Sequence, residues 1–234
     1  MDITDILYTP LDIPPFPKFS TDALRDWIKQ THEKQSVHHE LDASRHLGSL
    51  YPWNVTYAKQ DGRWLNDFEK LFPELSKFFS EAYGFEDSDL YTICILPLKQ
   101  NFTGVGFWHS DQDPLGIRMY LENEDVDSAS LLIKPLTKKY NSRMEVGLIP
   151  RFGESEKIQS DVTYEIKSPK GASSHFLNNM SCVHAVKSNK EDLRRIAVVI
   201  GIKKQYNTDQ RLNDLILRSA YKFKDSVVMW TPPK

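Results

Sequence analysis

The chain has 234 residues, 40% of them hydrophobic, and 30 basic side chains against 32 acidic ones. That size and apolar fraction suit one large domain with its own core, and the near-neutral balance lacks the clustered basic excess of a nucleic-acid binder. No apolar run reaches the roughly eighteen residues that a membrane helix needs. Cys94 and Cys182 sit among apolar neighbours and read as reduced, buried thiols. The acidic start Met1-Asp2-Ile3-Thr4-Asp5 lacks the features of a signal peptide, so a cytoplasmic protein without a membrane partner is expected.

Along the chain, Pro10, Pro14, Pro15 and Pro17 predict an extended entry segment. Ser20 or Thr21 then caps a helix that runs to about residue 35, with Leu24, Trp27, Ile28 and Thr31 on one face. A loop carrying His38, His39 and His46 follows. A second helix is predicted over 66–83, with Phe68, Leu71, Phe72, Leu75, Phe78 and Phe79 as its apolar stripe and a start or kink at Pro73. Past Asp89 the texture changes to short strands separated by Gly, Pro, Asn, Asp and Ser. They are placed at 90–98, 106–109, 117–121, 130–134, 145–149, 162–166, 175–178, 184–187 and 195–202. A closing helix over 207–220 would turn Leu212, Leu215, Ile216 and Tyr221 inward. The expectation is a mainly β protein with flanking helices, in the style of a jelly roll or small barrel. One domain would comprise a helical flank over 1–88, a β core over 89–204 and a C-terminal helix and tail over 205–234.

The chemistry concentrates in Trp108-His109-Ser110-Asp111, in His184, and in Arg194-Arg195. Residues i and i+2 of a strand point to the same side, so His109 and Asp111 converge on one point. Antiparallel pairing can bring His184 beside them despite the long separation in sequence. Two imidazoles and one carboxylate on one face of a metal, with positions left open, suit non-haem Fe(II). In Arg194-Arg195-Ile196-Ala197-Val198-Val199-Ile200, alternation puts Arg195, Ala197 and Val199 on one face and Arg194, Ile196 and Val198 on the other. An arginine carried into an apolar interior needs an anion, because an unpaired buried charge is costly. A dicarboxylate would fit its planar fork.

The order His109-x-Asp111, then His184, then Arg194 or Arg195 resembles the Fe(II)- and 2-oxoglutarate-dependent dioxygenases, over about 89–204. An arginine soon after the His-x-Asp, Arg118, makes the pattern similar to the branches that hydroxylate free amino acids or aspartyl and asparaginyl residues. The resemblance implies a double-stranded β-helix, a cupin-like jelly roll. It implies Fe(II) on His109, Asp111 and His184, and 2-oxoglutarate anchored by an arginine. The family's arginine, any residue, small residue order favours Arg195 over Arg194. It further implies O2 as oxidant and release of succinate and CO2. Because Asp111 keeps the carboxylate that related halogenases lack, hydroxylation is the expected outcome. The substrate class that follows is an amino acid or amino-acid-like small molecule. Alternatives are a protein side chain, a nucleobase, or a non-catalytic cupin-like binding domain.

Other residues carry open readings. His175 competes with His184 for the distal ligand position, but Ala185 and Val186 stand where an arginine would be required. His38, His39 and His46 read as solvated loop residues, since no carboxylate or cysteine spacing accompanies them. Arg118 is either a clamp for a substrate carboxylate or an outward residue paired with an acid such as Glu122. Trp108 is either pocket wall or a platform for substrate. Asn178-Asn179 either orients His184 or forms a plain turn.

Overall fold

Alternation of apolar residues along the strands builds two antiparallel sheets. The computed structural model describes residues 1–31, 56–60, 62–83, 91–100, 104–105, 108–111, 115–123, 129–139, 160–167, 171–189, 193–202 and 210–231. Its strands are β1 (Ile6–Pro10), β2 (Thr56–Gln60), β3 (Arg63–Trp64), β4 (Tyr91–Gln100), β5 (Gly104–Val105), β6 (Leu115–Asn123), β7 (Ala129–Pro135), β8 (Tyr164–Lys167), β9 (Ser173–Asn178), β10 (Cys182–Ser188), β11 (Leu193–Ile202) and β12 (Val228–Met229). The larger sheet runs in the order β12-β1-β9-β6-β11-β4-β2-β3, and the smaller in the order β5-β10-β7-β8.

Strand β11 shows how sequence sets the two faces of the larger sheet. Ile196, Val198, Ile200 and Ile202 fall on one parity and are buried in the main core, together with Ile93 and Ile95 of β4 and Ile117, Met119 and Leu121 of β6. The same core takes in Leu24, Trp27 and Ile28, Phe68 to Phe79, and Leu212, Leu215 and Ile216, so the helices share this core with the sheet. The opposite parity holds Val199, which stands in register with Arg118 of β6, and Arg118 in turn stands opposite His175 of β9. A second cluster joins the two sheets through Leu7, Tyr8, Leu131, Ile133, Leu177 and Cys182.

Helix α1 spans 21–31, and Ser20 caps it by accepting from the Ala23 amide at 3.2 Å. The predicted second helix is two, α2 (Phe68–Leu71) and α3 (Pro73–Glu81), separated at Phe72 with φ −130° and ψ 61°. Pro73 supplies no amide and fits the first turn of α3, where that donor would have no helical partner. The break changes the stripe: Leu71, expected inside, is 58% exposed. Helix α4 (Gln210–Lys222) buries Leu212, Leu215, Ile216, Ser219 and Ala220, whereas Tyr221, also expected inside, is exposed.

The proline-rich entry holds a strand that composition did not signal. After a short 3-10 turn at Ile3–Asp5, β1 pairs with β9 and β12, and Pro10 closes it opposite His175. The β2–β3 hairpin, turned at Gly62 with φ 77°, was likewise not expected. The predicted strand at 145–149, residues 106–107, and the loop with His38, His39 and His46 lie outside the described residues. Cys182 is buried, as expected, whereas Cys94, expected inside as well, is half-buried. Among the described residues no helix is long and apolar enough to cross a membrane.

Candidate metal centre

His109 and His184 are bonded directly across an antiparallel bridge. The His109 amide donates to the His184 carbonyl at 2.9 Å, and the His184 amide returns the bond at 2.8 Å. Residues so paired project side chains from the same face. The rings accordingly meet with centroids 4.2 Å apart and Nε2 atoms 3.1 Å apart. Asp111, two residues beyond His109, turns to the same side. Its Oδ1 lies 3.7 Å from His109 Nε2 and 3.8 Å from His184 Nε2.

The surrounding turn holds this geometry. Ser110 Oγ donates to the Asn179 carbonyl at 2.6 Å, tying the His-x-Asp segment to the turn that leads into β10. Within that turn the Met180 amide donates to Asn178 Oδ1 at 3.1 Å, and Cys182 Sγ donates to the Asn178 carbonyl at 3.0 Å. The Asn178 side-chain oxygen and the Asn179 carbonyl thus brace the turn backbone and Ser110. The ring of His184 is oriented instead by its strand position, between Ile133 of β7 on one side and His109 on the other.

Arg118 reaches this cluster from the other sheet. Its Nη2 donates to Asp111 Oδ2 at 2.7 Å and is hydrogen-bonded to His184 Nε2. The side chain is 12% exposed, so Arg118 points inward and the outward reading, paired with Glu122, does not hold. Burial by itself would raise the Asp111 pKa, but Arg118, His184 and His109 outweigh it and hold the carboxyl well below the usual range. Burial, then Arg118 and His109, push His184 well below its ordinary value. An ionised carboxylate beside a neutral imidazole is the protonation pattern that metal binding requires.

A metal fits this donor set. Ligand atoms about 2.1 Å from one ion can be no more than about 4.2 Å apart, and the separations of 3.1, 3.7 and 3.8 Å all satisfy that limit. Among the described residues His109, Asp111 and His184 are the group of three or more metal-ligating side chains that comes together in this way. His184 is sealed, while His109 and Asp111 keep about a quarter of their side-chain surface, so the cluster opens on one side.

His175 is buried outside the triad, with its ring 5.1 Å from that of Tyr8 and 5.8 Å from that of Tyr120. Trp108, next to His109 in sequence, is half-buried, with the Lys134 ammonium 4.9 Å from its ring centroid. The backbone of Arg195 pairs with Leu98 and Asn123, and that of Arg194 with Lys99; the side chains of both lie outside the described residues. Sequence reasoning did not foresee that Arg118 bonds two members of the triad. The available signal was a lone arginine on the inward parity of an apolar strand.

No family model matches the chain, and no curated protein matches it. Solved structures similar to it include the non-heme alpha ketoglutarate dependent carbocyclase SnoK from nogalamycin biosynthesis, at 15% identity over 85% of this chain and 80% of that one, with a TM-score of 0.43. EvdO2 from Micromonospora carbonacea var. aurantiaca is similar at 14% identity over 68% and 71%, with a TM-score of 0.38. A Pseudomonas putida prolyl-4-hydroxylase is similar at 10% identity over 84% and 93%, with a TM-score of 0.35.

Proposed function

We propose that the chain is an Fe(II)- and 2-oxoglutarate-dependent oxygenase that hydroxylates an amino acid or amino-acid-like small molecule. The observation that carries this reading is the cross-strand His109–His184 pair with Asp111 turned onto the same point. The strand order supports a double-stranded β-helix: from β4 to β11 the chain visits the larger, smaller, larger, smaller, smaller, larger, smaller and larger sheet in turn.

His109 Nε2, His184 Nε2 and Asp111 Oδ1 would hold the metal. Bound there, Fe(II) with 2-oxoglutarate and O2 supplies the oxidising chemistry, with succinate and CO2 as by-products. The protein's part is positional. The bridge fixes the two imidazoles, and the Ser110 bond to Asn179 fixes the turn that carries Asp111. Arg195 shares strand parity with Ala197 and Val199, and it is our assignment for the distal carboxylate of 2-oxoglutarate, in preference to Arg194. Succinate release, measured with Fe(II), 2-oxoglutarate and pooled amino acids and peptides, tests the reading. Release stimulated by one pool supports it. Protein that binds Fe(II) yet yields no succinate above the His184→Ala variant with any pool contradicts it.

A further inference from the structure

Val199 lies on β11, with β6 on one side and β4 on the other, yet it is only half-buried. Its chain neighbours Val198 and Ile200 belong to the main core and are sealed. Space is therefore open over Val199 on the face that looks away from the helices. The same holds across the strands. Arg118 of β6, Val199, Cys94 of β4 and Tyr57 of β2 stand in one cross-strand row, and all four are half-buried. The row begins at the candidate metal centre, where Arg118 donates to Asp111. In the opposite direction this face is closed, since His175, which stands opposite Arg118, is sealed together with Tyr8 and Tyr120. It is closed at Gly116 as well, where Asn179 Nδ2 lies 3.0 Å from the place that a Cβ would take. A cleft thus leads from the centre across β11 and β4 to β2.

This cleft and the assignment of Arg195 to the oxo acid run in different directions. Arg195 stands four residues from Val199 along β11, about 13 Å away, whereas the row crosses the strands. Neighbouring strands lie about 4.8 Å apart, so the backbones at Val199 and Tyr57 are about 10 Å apart, room for a side chain of phenylalanine size. The lining is an isopropyl group, a thiol and a phenol, with half-buried Thr92 on the same face of β4 as Cys94. Among the described side chains on this face of β11, β4 and β2 none is charged. Lys59 follows a bulge and stands opposite Ile93, with its ammonium 4.6 Å from the Trp64 ring centroid, on the face packed by the helices. A charged group entering the cleft would lose water without gaining a partner. An apolar or aromatic group would meet sulfur and a ring. We propose that the Val199–Cys94–Tyr57 cleft receives an uncharged, apolar or aromatic side chain of the amino-acid-like substrate. The proposal rests on the oxygenase reading and narrows its substrate class, setting acidic and basic amino acids aside.

Alkylation by iodoacetamide reports on the cleft without turnover, because Cys94 lines it and Cys182 is sealed. Mass spectrometry follows each thiol of the full chain in the presence of Mn(II) and 2-oxoglutarate. Cys94 should be alkylated and Cys182 spared. L-phenylalanine, L-leucine and L-methionine are the uncharged probes, and L-glutamate and L-lysine the charged ones. A ligand at about ten times its Kd leaves its site free about one-eleventh of the time, so at least one uncharged probe should slow Cys94 alkylation about tenfold. The charged probes should leave the rate unchanged. Protection by L-glutamate or L-lysine, protection by no probe, or a Cys94 as inert as Cys182 overturns the proposal. Slowing by 2-oxoglutarate itself, relative to Mn(II) alone, would give the cleft to the oxo acid, and the proposal falls. Val199→Phe, which narrows the cleft, should slow alkylation with no amino acid present, and Val199→Leu serves if the Phe variant does not fold. An unchanged rate in the folded variant would mean that Cys94 is reached from elsewhere, which also overturns the proposal. Protection by an uncharged probe without any succinate release would leave the cleft standing and remove the oxygenase reading, so the two fail separately.

Discussion

His184 combines three properties that a metal ligand needs: it is sealed from water, held neutral, and aimed by a backbone bridge at a second imidazole. Its replacement by Ala should leave the strand intact and remove high-affinity Mn(II) binding, measured by calorimetry. Retained binding in His184→Ala together with loss in His175→Ala would move the ligand assignment to β9. The depressed basicity of His184 also has a pH signature. Its folded-state pKa lies below the unfolded value near 6.5, so acid protonates the unfolded chain first. Stability contributed by the neutral ring is complete above about pH 6.5 and declines as pH falls below it. Asp111, also depressed, adds a second loss that begins only near pH 4. In metal-stripped protein the urea midpoint should therefore drop from about pH 6.5 downward, and His184→Gln should flatten the upper part of that fall. Legibility at this scale was uneven. The convergence of His109 and Asp111 could be read from spacing because strand parity is a local rule, whereas His184 was singled out by the order of residues in the family resemblance. The pairing of Arg118 with Asp111 could not be read, because it depends on how the two sheets face each other.

The turn over Asn178–Ser181 and the segment 108–111 act together through Ser110. Ser110→Ala removes one hydrogen bond to a carbonyl and should cost about 1 kcal/mol of stability. Because that bond positions Asp111, Mn(II) affinity should weaken in the same variant by about fivefold, about 1 kcal/mol; unchanged affinity would show that the bridge alone sets the ligand geometry. Helix α3 makes a contrast. Phe79 is fully buried in the main core, with its ring stacked on that of Phe68 at 6.2 Å. Phe79→Ala should lower stability by about 3–5 kcal/mol in urea unfolding, while the folded protein keeps its Mn(II) affinity. Strands β4 and β6 to β11 were legible as apolar or alternating runs bounded by turn residues, whereas the two-residue β12 was not. Strand β1 was hidden by prolines that follow it, and β2–β3 by their shortness. Leu71 and Tyr221 were misplaced because one apolar stripe was drawn through a break at Phe72 and one turn too far along α4.

Over the whole molecule, the larger sheet turns one face to the helices and, from the other, presents Arg118 to ligands carried by the smaller sheet and its adjoining turn. The site therefore joins the two sheets, and occupancy should be felt globally. Mn(II) at about 100 times its Kd should raise stability by about 2.7 kcal/mol in wild type, read as an increase in Tm, and by nothing measurable in Asp111→Ala. The mainly antiparallel β architecture could be read from composition and turn spacing. The order of strands in each sheet could not, since sequence alone does not state which distant strands pair. We propose that His109, Asp111 and His184 hold Fe(II) in a form that accepts 2-oxoglutarate. The most direct test is the anaerobic visible absorption spectrum of the full chain with Fe(II) and 2-oxoglutarate, beside the same spectrum of His184→Ala. Wild type should show a charge-transfer band that requires both additions and is absent from the variant. A wild-type spectrum identical to that of His184→Ala would contradict it.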